Sequence, residues 1–259
     1  MTRSARRTSQ VFIASLPSSA MADELDVERI LVIAAHPDDV DYGAAGSVAT
    51  WTDAGIDVSY CIVTDGDAGG FDPDVGRHEI AGIRQQEQVA AAKEVGVTDV
   101  TFLGHPDGYL EVSLALRKDI ARVIRTVRPQ RVVTQSPERR YETVYASHPD
   151  HLVAGEATMC AVYPDSRNQF WFPELVEVEG LEPWTVDEVY LMGGPDADVY
   201  IDITEQLDRK VAALLRHDSQ MTDPGGLETR IRGWGESTAG AGGLESGRCA
   251  ESFRRVPTA

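Results

Sequence analysis

Apolar residues along this chain come in short dense runs separated by amphipathic stretches, and that alternation predicts most of its elements. Residues 28–35 carry an unbroken apolar run from Ile30 to Ala35. A run that is partly β-branched and too short for a helix reads as a strand buried on both faces. Residues 57–64, 99–103 and 131–135 repeat the pattern. Between them 43–54, 78–95 and 113–127 read as helices, the last two stopped by Gly96 and Pro129. Strands alternating with helices at this spacing predict βαβ units. The expected fold is therefore α/β, a Rossmann-like three-layer sandwich with a mostly parallel sheet. Further along, 136–145 reads as a loop, 152–162 as a helix, 187–192 and 199–203 as two strands, and 204–217 as a helix with Thr204 as its cap.

Two ends fall outside this pattern. Residues 1–27 are expected as a disordered leader. Arg3, Arg6 and Arg7 precede a short apolar stretch that Pro17 interrupts, too short for an export signal, and Met21 is an alternative start. Residues 28–222 form the expected main domain. From 223 to 259 the chain is rich in Gly, Ser and Thr without periodicity, which suggests a tail or a lid.

Chemistry enters where the strands stop. The first ends on His36-Pro37-Asp38-Asp39, and the loop after the fourth delivers His148-Pro149-Asp150-His151. In open α/β sheets ligands bind beyond the carboxyl ends of the strands, so the site is expected there. A catalytic zinc needs three protein ligands and one open position. His36 and Asp39, on one tight turn, can face a common point, and His151 can supply the third ligand from the other side. Asp38 is then left as a carboxylate beside the metal, which is what a general base requires. His148 can donate to the oxyanion or to the leaving group. As plain turn residues, Asp and Pro would need no such role, but two complete clusters, one directly after a strand, favour a metal site. The loop 65–70 is Gly-rich, yet no Gly-x-Gly-x-x-Gly follows the first strand, so a nucleotide cofactor is not expected.

Ala35-His36-Pro37-Asp38-Asp39 and His148-Pro149-Asp150-His151 resemble the two signature motifs of the PIG-L/LmbE-like zinc-dependent N-deacetylases. That family includes enzymes acting on N-acetylglucosaminyl-phosphatidylinositol and in the mycothiol and bacillithiol pathways. The resemblance continues through Thr64-Asp65-Gly66, Arg84-Gln85-Gln86-Glu87, residues 103–108 and residues 202–220, so it spans about residues 28–220. It implies one Zn2+ per chain, with Fe2+ as the alternative in vivo, held by His36, Asp39 and His151. It implies Asp38 as base, His148 at the tetrahedral intermediate or the amine, and Asp150 orienting a histidine. Arg84 would lie at the substrate site and Asp107 would bind sugar hydroxyls, both on the pocket rim. Mycothiol-pathway members carry a tyrosine two residues before the first histidine of the second motif. Ala146 holds that place here, which makes its neighbour Tyr145 the candidate for the role.

Other residues read more plainly. Spacing alone makes Arg84 and Glu87 an exposed helical ion pair. His105 reads as structural or a pocket wall, and His78 and His217 as surface residues. Phe170-Trp171-Phe172-Pro173 and Trp184 read as core packing or the wall of an acyl or sugar pocket.

Composition narrows the partners. The 259 residues hold 42 acidic against 24 basic side chains, a net charge of −18, whereas nucleic acid and anionic membranes need a basic footprint. Three widely spaced cysteines without a Cys-x-x-Cys fit reduced thiols in the cytoplasm. No segment has the apolar length to span a bilayer. The expected activity is removal of an N-acetyl group from an N-acetylglucosamine-type amino sugar or glycoconjugate, with a homo-oligomer left open. The alternatives are an amidase acting on a thiol conjugate or a secondary-metabolite N-acyl group, a non-catalytic sugar- or metal-binding domain, and a nucleotide-binding α/β protein.

Overall fold

The structure is a computed structural model that describes residues 11–13, 27–72 and 74–258. Its strands, numbered in chain order, are β1 (Val11–Ile13), β2 (Arg29–Ala34), β3 (Asp57–Thr64), β4 (Asp99–His105), β5 (Arg131–Gln135), β6 (Glu188–Met192), β7 (Val199–Asp202) and β8 (Ala250–Pro257). They form one sheet in the order β1-β7-β8-β6-β5-β2-β3-β4. Only β8 among these runs antiparallel, to β6 on one side and β7 on the other. The helices are α1 (Asp39–Gly43), α2 (Ala45–Asp53), α3 (Arg77–Glu94), α4 (Leu114–Val127), α5 (Pro149–Cys160), α6 (Pro173–Glu177), α7 (Leu207–Leu214) and α8 (Leu227–Ala241).

Side chains alternate across a strand, and β2 feeds both layers. Ile30, Val32 and Ala34 join one core with Val48 and Trp51 of α2, Ala91 of α3, and Leu207 and Leu214 of α7. Leu31 and Ile33 join the other, with Ile120 and Ile124 of α4 and Ala154 and Ala157 of α5. Helices on both faces of a mostly parallel sheet make the three-layer sandwich expected from the alternating runs.

Topology then places the site. The chain runs β2, β3, β4 outward in one direction and returns to β5 on the opposite flank of β2. A crevice opens at the carboxyl ends of strands where the order reverses, which here is the β2–β5 junction. Its two strand ends are joined directly, since the Ala35 N–H donates to Gln135 Oε1 at 2.9 Å. Helix α5 closes on the same point because Gly155 has no side chain: a Cβ there would lie 2.2 Å from the Gln135 carbonyl oxygen.

The two ends differ from expectation. Within the expected leader the structure describes β1, parallel to β7, while residues 1–10 and 14–26 lie outside the described residues. Residues 223–258 are not a loose tail, for they contain α8 and the internal strand β8. Glu251 of β8 points inward, takes Lys210 Nζ at 2.5 Å, and accepts from the N–H groups of Gly46 and Ser47 at 3.0 and 2.8 Å. That carboxylate satisfies the free N–H groups at the start of α2, where negative charge is favoured. Gly235 lets α8 approach the lead-in to β8, because a Cβ there would lie 2.9 Å from that of Cys249.

Candidate active site

His36 follows β2 directly and is surrounded by carboxylates. Its Nδ1 lies 3.1 Å from Asp39 Oδ2, and its Nε2 lies 3.1 Å from Asp107 Oδ1 and 3.2 Å from Asp150 Oδ2. Burial alone would lower its pKa, but these three carboxylates outweigh it and push it up to about 12. The other oxygen of Asp39, Oδ1, lies 3.0 Å from His151 Nε2. Burial opposes the Asp39 carboxylate, yet His151 and His36 hold it well below the usual carboxylate range. One carboxylate thus spans the two histidines expected to share a metal with it.

Among the described residues, two overlapping groups have ligand atoms within 4.8 Å of one another: His36 with His148 and His151, and His36 with Asp107 and Asp150. Neither contains Asp39. The contacts of Asp39 with both His36 and His151 favour it over Asp107 and Asp150 as a ligand. Those two face the opposite nitrogen of His36, the place of the carboxylates that orient a ligating imidazole. Asp150 is itself held by the Gly108 N–H, which donates to it at 2.7 Å.

Asp38 sits in the left-handed region, at φ 97°, a conformation that a non-glycine residue keeps only when its surroundings hold it. Its N–H donates to Gln88 Oε1 at 2.8 Å, and its carbonyl starts α1 by accepting from Asp41 and Tyr42 at 2.9 and 3.0 Å. Burial, joined by the charge of Asp39, raises its carboxyl to about 7, against the pull of Arg84.

The second cluster forms the start of α5. His148 is its N-cap, with Nδ1 accepting from the Asp150 N–H at 3.2 Å, and Pro149 occupies the first turn. An accepting Nδ1 leaves the neutral ring's proton on Nε2. Burial, together with the neighbouring His36, lowers the His148 pKa, so the neutral ring is favoured. The ring centres of His36, His148 and His151 stand 5.0 to 5.5 Å apart.

Arg84 and Asp107 lie inside the cluster and not on its rim, being 4% and 7% exposed. Arg84 donates to the Pro37 carbonyl at 2.6 Å and the Gly66 carbonyl at 2.9 Å, and approaches Asp38 at 3.4 Å and Asp107 at 3.7 Å. Its guanidinium fastens two strand-end loops together, which leaves little of it for an incoming anion. The side chain of Tyr145 lies outside the described residues.

Sequence reasoning missed the support behind Asp38. Gln88 Nε2 donates to Asp41 Oδ2 at 2.9 Å, and the same oxygen meets His217 Nε2 at 2.8 Å. His217, expected at the surface, is 1% exposed. Burial opposes its charge, but Asp41 raises its pKa above the ordinary value. No short motif links these three, which come from α1, α3 and the segment after α7. Glu87 does not pair with Arg84 but accepts from the Ser219 N–H and hydroxyl, each at 2.7 Å. The aromatic cluster lies apart from this site: Trp171 packs on Arg117, while the Trp184 indole donates to the Pro129 carbonyl.

The chain is also similar to known proteins. Residues 31–162 match the family model described as PIG-L: GlcNAc-PI de-N-acetylase. The diacetylchitobiose deacetylase of Thermococcus kodakarensis is 34% identical over 198 residues, 76% of this chain and 72% of that protein. A probable N-acetyl-alpha-D-glucosaminyl L-malate deacetylase 2 of Bacillus cereus is 32% identical, covering 74% of this chain and 83% of its own length. Among solved structures, the N,N'-diacetylchitobiose deacetylase of Pyrococcus horikoshii, complexed with its inhibitor MPG, matches at TM-score 0.82 and 29% identity. It covers 90% of this chain and 85% of that one.

Proposed function

The chain belongs to the PIG-L family and is a metal-dependent deacetylase, and from that premise we propose how its residues divide the work. The substrate is an N-acetylglucosamine-type amino sugar or glycoconjugate. One Zn2+ is held by His36, Asp39 and His151. The observation that carries this reading is the Asp39 carboxylate, one oxygen on each histidine, at the carboxyl end of β2. The donor set fits a cation: four carboxylates converge on three imidazoles and one arginine, so added positive charge is favoured, and N/O donors suit zinc. When bound, zinc polarises the amide carbonyl and makes water acidic enough to be deprotonated near neutrality.

Asp38 takes the proton from the attacking water. Burial, joined by the charge of Asp39, holds this carboxyl above the ordinary carboxylate range, toward the operating pH at which proton transfer is most efficient. Once protonated, the same group can return the proton to the departing amine. His148, favoured neutral with its proton on Nε2, donates to the developing oxyanion. Asp107 and Asp150 hold the His36 ring, and Arg84 keeps Asp38 and Asp107 in register. A nearby cation favours the carboxylate, so the acidic limb of kcat/KM falls between the ordinary carboxylate value, roughly 4, and about 7.

The cysteines that the structure describes, Cys61, Cys160 and Cys249, are all free, which supports a cytoplasmic setting. No helix among the described residues is long and apolar enough to cross a membrane. The test is to strip the protein with a chelator, reload it with Zn2+ or Fe2+, and measure free amine released from N,N'-diacetylchitobiose and N-acetylglucosamine. Activity should vanish on stripping and return with metal, the better ion identifying the cofactor. Equal turnover by the stripped protein would overturn the reading.

A further inference from the structure

Beside the metal-ligating edge lies a cavity of about 300 Å3 whose floor includes Asp39 and His151 and whose walls include Tyr42, Gly43, Met192 and Trp234. We propose that it is an acyl pocket and that the enzyme accepts N-acyl groups larger than acetyl, apolar or aromatic ones in particular. This rests on the deacetylase reading above and extends it to the other half of the scissile amide.

Position comes first. The cavity shares Asp39 and His151 with the reacting centre, so a group seated there lies next to the carbonyl. Asp107, Asp150 and Arg84 stand on the other side, beyond the Nε2 of His36.

Size and surface point the same way. A methyl group is about as large as a water molecule, roughly 30 Å3, and would leave most of the space empty. Besides Asp39 and His151, no charged or imidazole side chain lines it. Trp234 is 50% and Tyr42 38% exposed, with ring centres 6.4 Å apart at 54°. Aromatic faces left open to solvent beside a reaction centre suit an apolar partner of matching thickness. Gly43 lets Met192 close the wall, because a Cβ there would meet Met192 Sδ at 2.5 Å. Met192 is itself an adaptable side chain, suited to acyl groups of varied shape.

The experiment uses the zinc-loaded full chain and glucosamine carrying N-acetyl, N-butanoyl or N-phenylacetyl groups, with free amine as readout. Wild type should hydrolyse the phenylacetyl compound with a kcat/KM at least equal to that for acetyl. Trp234→Ala should lower the phenylacetyl-to-acetyl ratio at least about tenfold, since apolar pockets discriminate by roughly 10–200-fold per methylene, and Trp234→Leu should fall between. Thermal melts confirm that both variants are folded, and calorimetric titration of N-phenylacetylglucosamine into metal-free wild type and Trp234→Ala gives a second readout. An unchanged ratio in both variants overturns the acyl pocket. An equal loss on all three acyl groups, which leaves that ratio unchanged, would assign the cavity to the sugar. If wild type releases no amine from any acyl sugar, the deacetylase reading itself fails.

Discussion

Strands β2 and β8 belong to the same sheet with only β5 and β6 between them, yet they are built on opposite terms. Strand β2 is apolar, buried on both faces, and held by the packing of two helical layers. Strand β8 reads Ala-Glu-Ser-Phe-Arg-Arg-Val-Pro and adds ion pairs to its two ladders and its buried Phe253: Glu251 on Lys210 and the start of α2, and Arg255 on Glu188, which also takes Arg131. The first presents chemistry at its end; the second ties the sheet together at its flank. A polar strand can be internal provided each buried charge finds a partner.

That contrast can be broken from either side. The largest effect is expected at the end of β2: Asp38→Asn should lower kcat about 10²–10⁴-fold, the usual worth of a positioned acid or base. Zinc content by elemental analysis and the melting temperature should stay near wild type. Glu251→Ala in β8 should do the reverse. It leaves Lys210 buried without its carboxylate, which costs about 3–5 kcal/mol in urea denaturation, while folded molecules keep their turnover. A cost under roughly 1 kcal/mol, the range of surface pairs, would mean that β8 is held by something else.

Smaller changes test the support between the two. Gln88→Met keeps the volume of a side chain that holds Asp38 by its N–H, and removes both hydrogen bonds. Misplacing a reacting group by about 1 Å can cost roughly 100-fold, so kcat should fall by roughly 10- to 100-fold with KM unchanged. A rise in KM with kcat unchanged would dismiss the positioning role. The smallest effect concerns pH. His217 has its pKa raised by Asp41, so its contribution to stability is complete below the unfolded value near 6.5. It is lost as pH rises through the folded value. Denaturation midpoints measured across that interval should decline in wild type, and His217→Gln should remove that part of the slope.

Legibility in the sequence followed the same divide. Strands β2, β3, β5 and β6 were readable because helices cover both faces, so each becomes an apolar run, while the edge strand β4 is partly buried and shows only Val100, Phe102 and Leu103 against the two cores. The clusters at His36 and His148 were readable because ligand-type residues stop those runs or follow them within one loop. Gln88, Asp41 and His217 were not, since each is a single polar residue on its own segment and they meet only when α3 packs on α7. Arg84 was expected on the rim from its place near a strand end, although its two terminal nitrogens donate inward to the Pro37 and Gly66 carbonyls. Helix α8 was hidden by its glycines: loose composition suggested a tail, while Gly235 serves a close approach to Cys249.

The antiparallel placement of β8 also sets an order of assembly. Strand β7 touches the rest of the sheet through β8, and β1 touches it through β7. During synthesis the ribosome delivers β7 about fifty residues before the strand it must pair with, as residues 199–202 precede residues 250–257. Until those later residues emerge, the edges of β7 and β6 that β8 will join have no partner strand, and such edges are where nascent chains meet one another.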